Sequence, residues 1–293
     1  MSAAVTSTLV NRFAPFDLAL QAAFDEGIAT ALAEDIGSGD RTGLLVPASA
    51  RVRARVLVRE QAVLCGAPWF EAVMQTLAPS ARIDWCLAEG EVMAANSVVC
   101  MIEAPARALL TAERTALNFL QLLSGVASAT RRYVDVVAGT GAAILDTRKT
   151  LPGMRLAQKY AVRVGGGHNQ RLALYDGILI KENHIAAAGG VAPALAAALA
   201  LPERVPIQIE VESLQQLREA LEAGATSVLL DNFALQAMRD AVSLTAGRAL
   251  LEASGGVALD TVRAIATTGV DRISIGSLTK DVRATDYSLR IVN

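Results

Sequence analysis

IQIEVESLQQLREALEAGATSVLLDNF, residues 207–233, decides how the second half of the chain is read. IQIEVE is a short aliphatic run ending on acid, LQQLREALEAG repeats apolar residues at helical spacing, and SVLLDN is another aliphatic run ending on acid. Buried strand, amphipathic helix and buried strand in that order make one unit of a parallel sheet. The rhythm extends both ways. AAILDT (142–147), GILIKE (177–182), ALLEAS (249–254) and RISIGS (272–277) read as strands, with helices in ALQAMRDAVSLTAG and ALDTVRAIATTG. So many units without a nucleotide-type glycine fingerprint favour an α/β barrel of the TIM type, complete or not.

The first part reads as an α+β sandwich domain. FDLALQAAFDEGIATALAED is helical, ARVRARVLVRE alternates as a half-exposed strand does, and APWFEAVMQTLA is a second helix. Strands around turns follow from 82 to 106, then a long helical stretch from about 107 to 138 with Gly125 as the place for a bend. The outline is therefore an N-terminal domain over 1–118 and a barrel over 119–280. The tail 281–293 is free to rejoin the first domain.

Composition removes several function classes. The chain has 293 residues and a net charge of −2, which argues against a nucleic-acid binder. Its N-terminus lacks a basic stretch followed by an unbroken apolar one, and the Ala-rich run at 186–201 is interrupted by glycines and prolines. A cytoplasmic protein with no membrane partner is expected. Cys65, Cys86 and Cys100 are odd in number with no metal spacing, so reduced, buried thiols are expected. With only His168 and His184 present, the chemistry falls to Arg, Lys, Asp and Glu.

Lysine is scarce beside arginine, and Lys149, Lys159 and Lys181 cluster between 148 and 181 with Arg148, Arg155, Arg163 and Arg171, against Asp176 as the one acid there. Lysines kept in an arginine-rich chain are those that arginine cannot replace. The strands end on Asp146, Lys181, Glu210, Asp231, Glu252 and Gly276. In a parallel barrel those ends converge on one mouth. Arg148, Lys149, Arg171 and Lys181 would form a cationic half suited to a ligand with several carboxylates or phosphates. Glu210 and Asp231 would form an anionic half that either shares a proton or holds a cation such as Mg²⁺; the cationic neighbours favour the metal. EASGGV and SIGSLT follow the last two strands, where barrels bind phosphate, making Ser254, Gly255, Gly256, Gly276 and Ser277 candidate donors.

Taken in order, EDIGSGDRT, ERTALNFLQLLSGVAS, DTRKTLPGMRLAQKYAVRVGGGHNQR, LIKENHI, IEVES, LLDNF, EASGGV and SIGSLT resemble the quinolinate phosphoribosyltransferase family nearly end to end. The resemblance implies that Arg148, Lys149, Arg171 and Lys181 hold the two carboxylates of quinolinate. It implies that Glu210 and Asp231 serve the ribose and Mg²⁺ of phosphoribosyl pyrophosphate. Lys149, Lys181, Glu210 and Asp231 are then the catalytic set, and the loops at 254–256 and 276–277 bind phosphate. It also implies a homodimer in which Arg114 reaches the neighbouring subunit's site. Many members read GGGxNHR where this chain has GGGHNQR, so His168 fills the variable position and Gln170, here a hydrogen-bonding candidate for substrate, stands for the histidine. Three alternatives remain: a paralogous barrel with another acceptor, a Schiff-base aldolase using Lys181, and a phosphate-sensing barrel without turnover.

Overall fold

Asp17 starts the first helix, its carboxylate accepting from the backbone N–H of Leu20 at 2.8 Å and so capping α1 (Leu18–Ile36). In this computed structural model residues 9–202 and 204–292 are described; residues 1–8, on which part of the N-terminal expectation rests, lie outside them. After α1 come β1 (Arg51–Val58), β2 (Ala62–Val63), α2 (Ala67–Leu77), β3 (Arg82–Trp85), β4 (Val92–Met93), β5 (Val98–Pro105) and α3 (Ala106–Val137). β5 pairs antiparallel with both β1 and β3. One face of this sheet packs into a core with an aromatic centre, where Phe24 lies 4.9 Å from Trp69 and Phe16 5.2 Å from Tyr160 between ring centroids. Such pairs add to plain area burial. Tyr160 comes from α4 (Arg155–Val164).

The chain divides into two compact units: Met1–Ala129 with Leu151–Gly165 and Asp281–Asn293, and Thr130–Thr150 with Gly166–Lys280. The sequence outline placed the break at 118/119, inside α3, and gave 151–165 to the barrel. The first unit takes 151–165 because Ala157, Tyr160, Ala161 and Val164 of α4 are buried in its core. Gly125 sits inside one continuous α3, and its role is contact: a Cβ there would overlap the Arg283 carbonyl oxygen.

The second unit is built as its strands alternate with helices. β6 (Ala143–Leu145), β7 (Ile178–Ile180), α5 (Glu182–Ala188), α6 (Val191–Leu199), β8 (Ile207–Val211), α7 (Leu214–Glu222), β9 (Ser227–Asp231), α8 (Leu235–Thr245), β10 (Leu250–Ser254), α9 (Val262–Ala266), β11 (Arg272–Ser274) and α10 (Ser277–Lys280) follow in order. All six strands are parallel, paired in the order β6-β11-β10-β9-β8-β7. That is a TIM-like barrel with one unpaired seam, between β6 and β7. Beside β6 the 168–170 segment supplies a bridge: the His168 N–H donates to Ile144 at 2.8 Å, and the Asp146 N–H donates to His168 at 3.2 Å. The chain ends in β12 (Tyr287–Val292), antiparallel to β1 in the first unit.

Cys65 and Cys100 are buried, whereas Cys86 is exposed, contrary to the expectation of three buried thiols. Among the described residues no helix is long and apolar enough to cross a membrane.

Candidate active site

Alternation along each strand sends every second side chain into the barrel. A cavity of about 630 Å³ lies at the C-terminal strand ends, with Arg148, Lys149, Gln170, Arg171, Lys181, Glu210, Asp231, Ser254, Gly255 and Gly256 in its wall. A larger cavity of about 890 Å³ opens at the strand starts, bordered by Ala143, Ile178, Ile207, Ser227, Leu250 and Arg272. Barrels keep their chemistry at the opposite end, and the titratable groups gather there in this barrel too.

The cations come from loops. Arg148 and Lys149 follow β6, and the Lys149 N–H is fixed by the Thr147 hydroxyl at 3.0 Å. Arg171 donates through Nη1 to the Gly177 carbonyl at 2.8 Å. Its guanidinium is held below the usual arginine range by burial first and by the neighbouring Arg148 second, against the opposing pull of Asp176. The Nε of Arg148 is buried without a hydrogen-bond partner. The two guanidinium groups thus lie close enough to repel, and that of Arg148 keeps a buried N–H open, an arrangement that an anion completes.

The acids come from strands. Glu210, ending β8, pairs with Lys181 at 3.1 Å, and its pKa is raised by burial, which outweighs Lys181; Asp231 pushes it the same way as burial. Asn232 takes a left-handed φ of 55° and donates to the Asp231 carboxylate at 2.8 Å. Gly255, at φ 97°, leaves room for the Asn232 amide where a Cβ would overlap it. Gly276 borders Lys149: a Cβ there would lie 3.0 Å from Lys149 Cδ.

Some candidates lie elsewhere. Arg114 is exposed on α3 in the first unit, and Ser277 opens α10 outside the cavity wall. Asp146 is fully buried and does not face the cavity; it accepts from the Asn169 amide at 2.6 Å and the Gln170 N–H at 2.9 Å. His168 lines the strand-start cavity, and His184 accepts from the Lys181 N–H at 3.0 Å, so no imidazole lines the C-terminal cavity among the described residues.

Glu210, Asp231 and Glu252 stand 21 residues apart, and spacing alone would make them equivalent. Register says otherwise. Glu210 and Glu252 both align with Leu229, whereas Asp231 aligns with Ser254. Glu252 lies two residues before Ser254, roughly 6.6 Å back along its strand, and is only 1% exposed, whereas Glu210, which shares its register, is half-buried and reaches Lys181. Thr147, Asn232, Glu252 and Ser274 line the cavity without having been singled out as site residues, nor was Gln208 just beneath. Counting back by two from Glu210 and Ser254 would have found Gln208 and Glu252.

A family model for the quinolinate phosphoribosyl transferase C-terminal domain matches residues 126–290, and the one for the N-terminal domain matches residues 39–124. The chain belongs to the quinolinate phosphoribosyl transferase family. It is 42% identical over 269 residues to the nicotinate-nucleotide pyrophosphorylase [carboxylating] of Mycobacterium leprae, covering 89% of this chain and 95% of that protein. It is 39% identical over 259 residues to the probable enzyme of that name in Bacillus subtilis, covering 88% and 90%. The solved nicotinate-nucleotide pyrophosphorylase from Francisella tularensis superposes with a TM-score of 0.90 at 41% identity, over 92% of this chain and 96% of that one. In this member of the family, Arg148, Arg171, Glu210 and Asp231 line one cavity.

Proposed function

We propose that this chain transfers the phosphoribosyl group of phosphoribosyl pyrophosphate to quinolinate with loss of CO₂. The products are nicotinate mononucleotide and pyrophosphate, a step of de novo NAD biosynthesis. The observation that carries the reading is the guanidinium pair, Arg148 with a buried unpartnered Nε beside Arg171, opening into a cavity that also holds Lys149 and Lys181. Four cations in one pocket suit a rigid dicarboxylate.

In this reading Arg148, Lys149, Arg171 and Lys181 grip the two carboxylates of quinolinate, and Gln170 supports that grip. Glu210 and Asp231 face the ribose, and Ser254, Gly255, Gly256, Gly276 and Ser277 offer donors to phosphate. The same two carboxylates would hold Mg²⁺. Among the described residues no cluster of three or more His, Cys, Asp or Glu is placed to hold a metal alone. Mg²⁺ is typically bound by one or two carboxylates together with substrate phosphates, the role assigned here to Glu210 and Asp231. When bound, Mg²⁺ neutralises charge building on the departing pyrophosphate.

The protein's own part is alignment and field. The clamp sets the pyridine nitrogen toward the anomeric carbon, so a two-substrate encounter becomes a positioned one. Glu210 and Asp231 stabilise the positive charge that develops on the ribose ring as pyrophosphate leaves. Once the ring nitrogen is bonded to ribose, its positive charge stabilises the electron pair left on the adjacent ring carbon as that carboxylate departs as CO₂, and a proton taken up from water completes the C–H bond of the product. No nucleophilic side chain is required. Lys181 is engaged with Glu210 at 3.1 Å rather than set in the apolar surroundings that activate an imine-forming lysine, which disfavours the aldolase reading.

We further assign the active species as a cytoplasmic homodimer in which exposed Arg114 reaches the neighbouring subunit's cavity. The test of the activity is purified protein with quinolinate, phosphoribosyl pyrophosphate and Mg²⁺. One CO₂ and one nicotinate mononucleotide per quinolinate consumed are expected; substrate consumption without CO₂, or none at all, would overturn the reading.

A further inference from the structure

Beneath the cation pair lies a polar network that binding alone does not account for. Gln170 Nε2 donates to Gln208 Oε1 at 2.7 Å and to the Glu252 carboxylate at 3.1 Å, and Gln208 Nε2 donates to Glu252 at 2.9 Å. The remaining amide atom, Gln170 Oε1, accepts the backbone N–H of Arg171 at 2.7 Å. Gln170 and Arg171 line both barrel cavities, so this network is a floor one side chain thick between them.

Glu252 is the unusual member. It is 1% exposed, and its hydrogen-bond partners among the described residues are two neutral amides. A carboxylate so buried without a cationic partner is expensive, and an apolar residue would fill the space more stably. Its chemistry explains its presence. A side-chain amide can flip by a half turn at almost no change in shape, exchanging donor for acceptor. Both carboxylate oxygens of Glu252 act as acceptors, and both amides turn their NH₂ groups toward it. Gln170 must then present its oxygen to Arg171.

We propose that Glu252 is a positioning residue for the acceptor clamp: by fixing the orientation of the Gln208 and Gln170 amides it sets the backbone, and hence the guanidinium, of Arg171. This rests on the quinolinate reading of the same cavity. It adds a specific requirement, an acceptor-only group in the floor, that no strand-end residue supplies.

The experiment measures quinolinate and phosphoribosyl pyrophosphate affinities by calorimetry, with steady-state kinetics, for wild type, Glu252→Gln, Gln170→Leu and the exchange variant Glu252→Gln with Gln208→Glu. Wild-type turnover of quinolinate tests the functional reading; the variant ratios test the positioning role. Glu252→Gln and Gln170→Leu should each weaken quinolinate binding about tenfold, the scale of one well-placed hydrogen bond to a charged system. KM for quinolinate should rise while kcat and phosphoribosyl pyrophosphate affinity stay within about threefold. The exchange variant returns an acceptor-only group to Gln170 and should recover wild-type affinity to within about threefold. Unchanged quinolinate affinity in Gln170→Leu, or an exchange variant as weak as Glu252→Gln at equal thermal midpoint, would overturn the proposal. Gln170→Leu leaves the buried charge in place and serves if Glu252→Gln fails to fold.

Discussion

At the residue scale, Arg148 and Lys149 reach the cavity from the loop after β6, and Arg171 from the loop after the seam segment. Removing one of them leaves the remaining cations in place, so the loss should fall on the acceptor alone. Lys149→Ala is expected to lower quinolinate affinity at least tenfold, about 1.4 kcal/mol or more, with phosphoribosyl pyrophosphate affinity within about threefold; calorimetry of both substrates checks it. Gly255→Ala should raise KM for phosphoribosyl pyrophosphate, since a Cβ at φ 97° overlaps the Asn232 amide beside Asp231. These residues were legible because each ends a strand or opens a loop. Glu252 was only half legible: its identity stood out, but Glu210 shares its register, and what buries Glu252 is the pair of side chains packed on it, Gln170 and Gln208, both far away in sequence.

At the element scale, α2 begins at Gly66 with its first N–H groups held by a side chain from another element. Glu89 accepts from the Gly66 N–H at 2.8 Å, the Ala67 N–H at 3.2 Å and the Tyr160 hydroxyl of α4 at 3.0 Å. Burial dominates over these bonds and raises the Glu89 pKa from 4.5 to about 7. Between those values the folded chain holds a proton that the unfolded chain has released, so stability falls as pH rises through that window. The full effect is on the order of 3 kcal/mol. Wild type should therefore melt higher at pH 5 than at pH 8, and Glu89→Gln should remove most of that difference in calorimetric scans. An equal pH dependence in both would count against Glu89 as its source. The six barrel strands and α1, α2 and α3 were legible from periodicity. α4 was not, because its sequence lies inside a stretch dominated by turn and cationic residues. α6 was hidden by Pro193, which sits harmlessly in its first turn.

At the scale of the whole molecule, the chain pairs an α+β unit with a seamed parallel barrel, and the barrel carries the cavity. Arg114 belongs to the first unit, and sequence pattern alone could place it no further than an exposed helix face. In the proposed dimer, Arg114→Ala and Lys149→Ala each damage both sites of their own homodimer, so at quinolinate concentrations well below KM neither alone shows appreciable turnover. Mixing them in equal amounts should restore about a quarter of wild-type activity, since half the dimers carry one intact site of two; absence of rescue would count against the shared site. The most direct test of the account is calorimetric titration of the wild-type protein with quinolinate and with nicotinate, its monocarboxylate counterpart, repeated for Arg171→Ala. The guanidinium pair predicts that wild type binds the dicarboxylate at least tenfold more tightly and that Arg171→Ala abolishes this preference. Equal affinity for the two acids in wild type, or an undiminished preference in the variant, would contradict it.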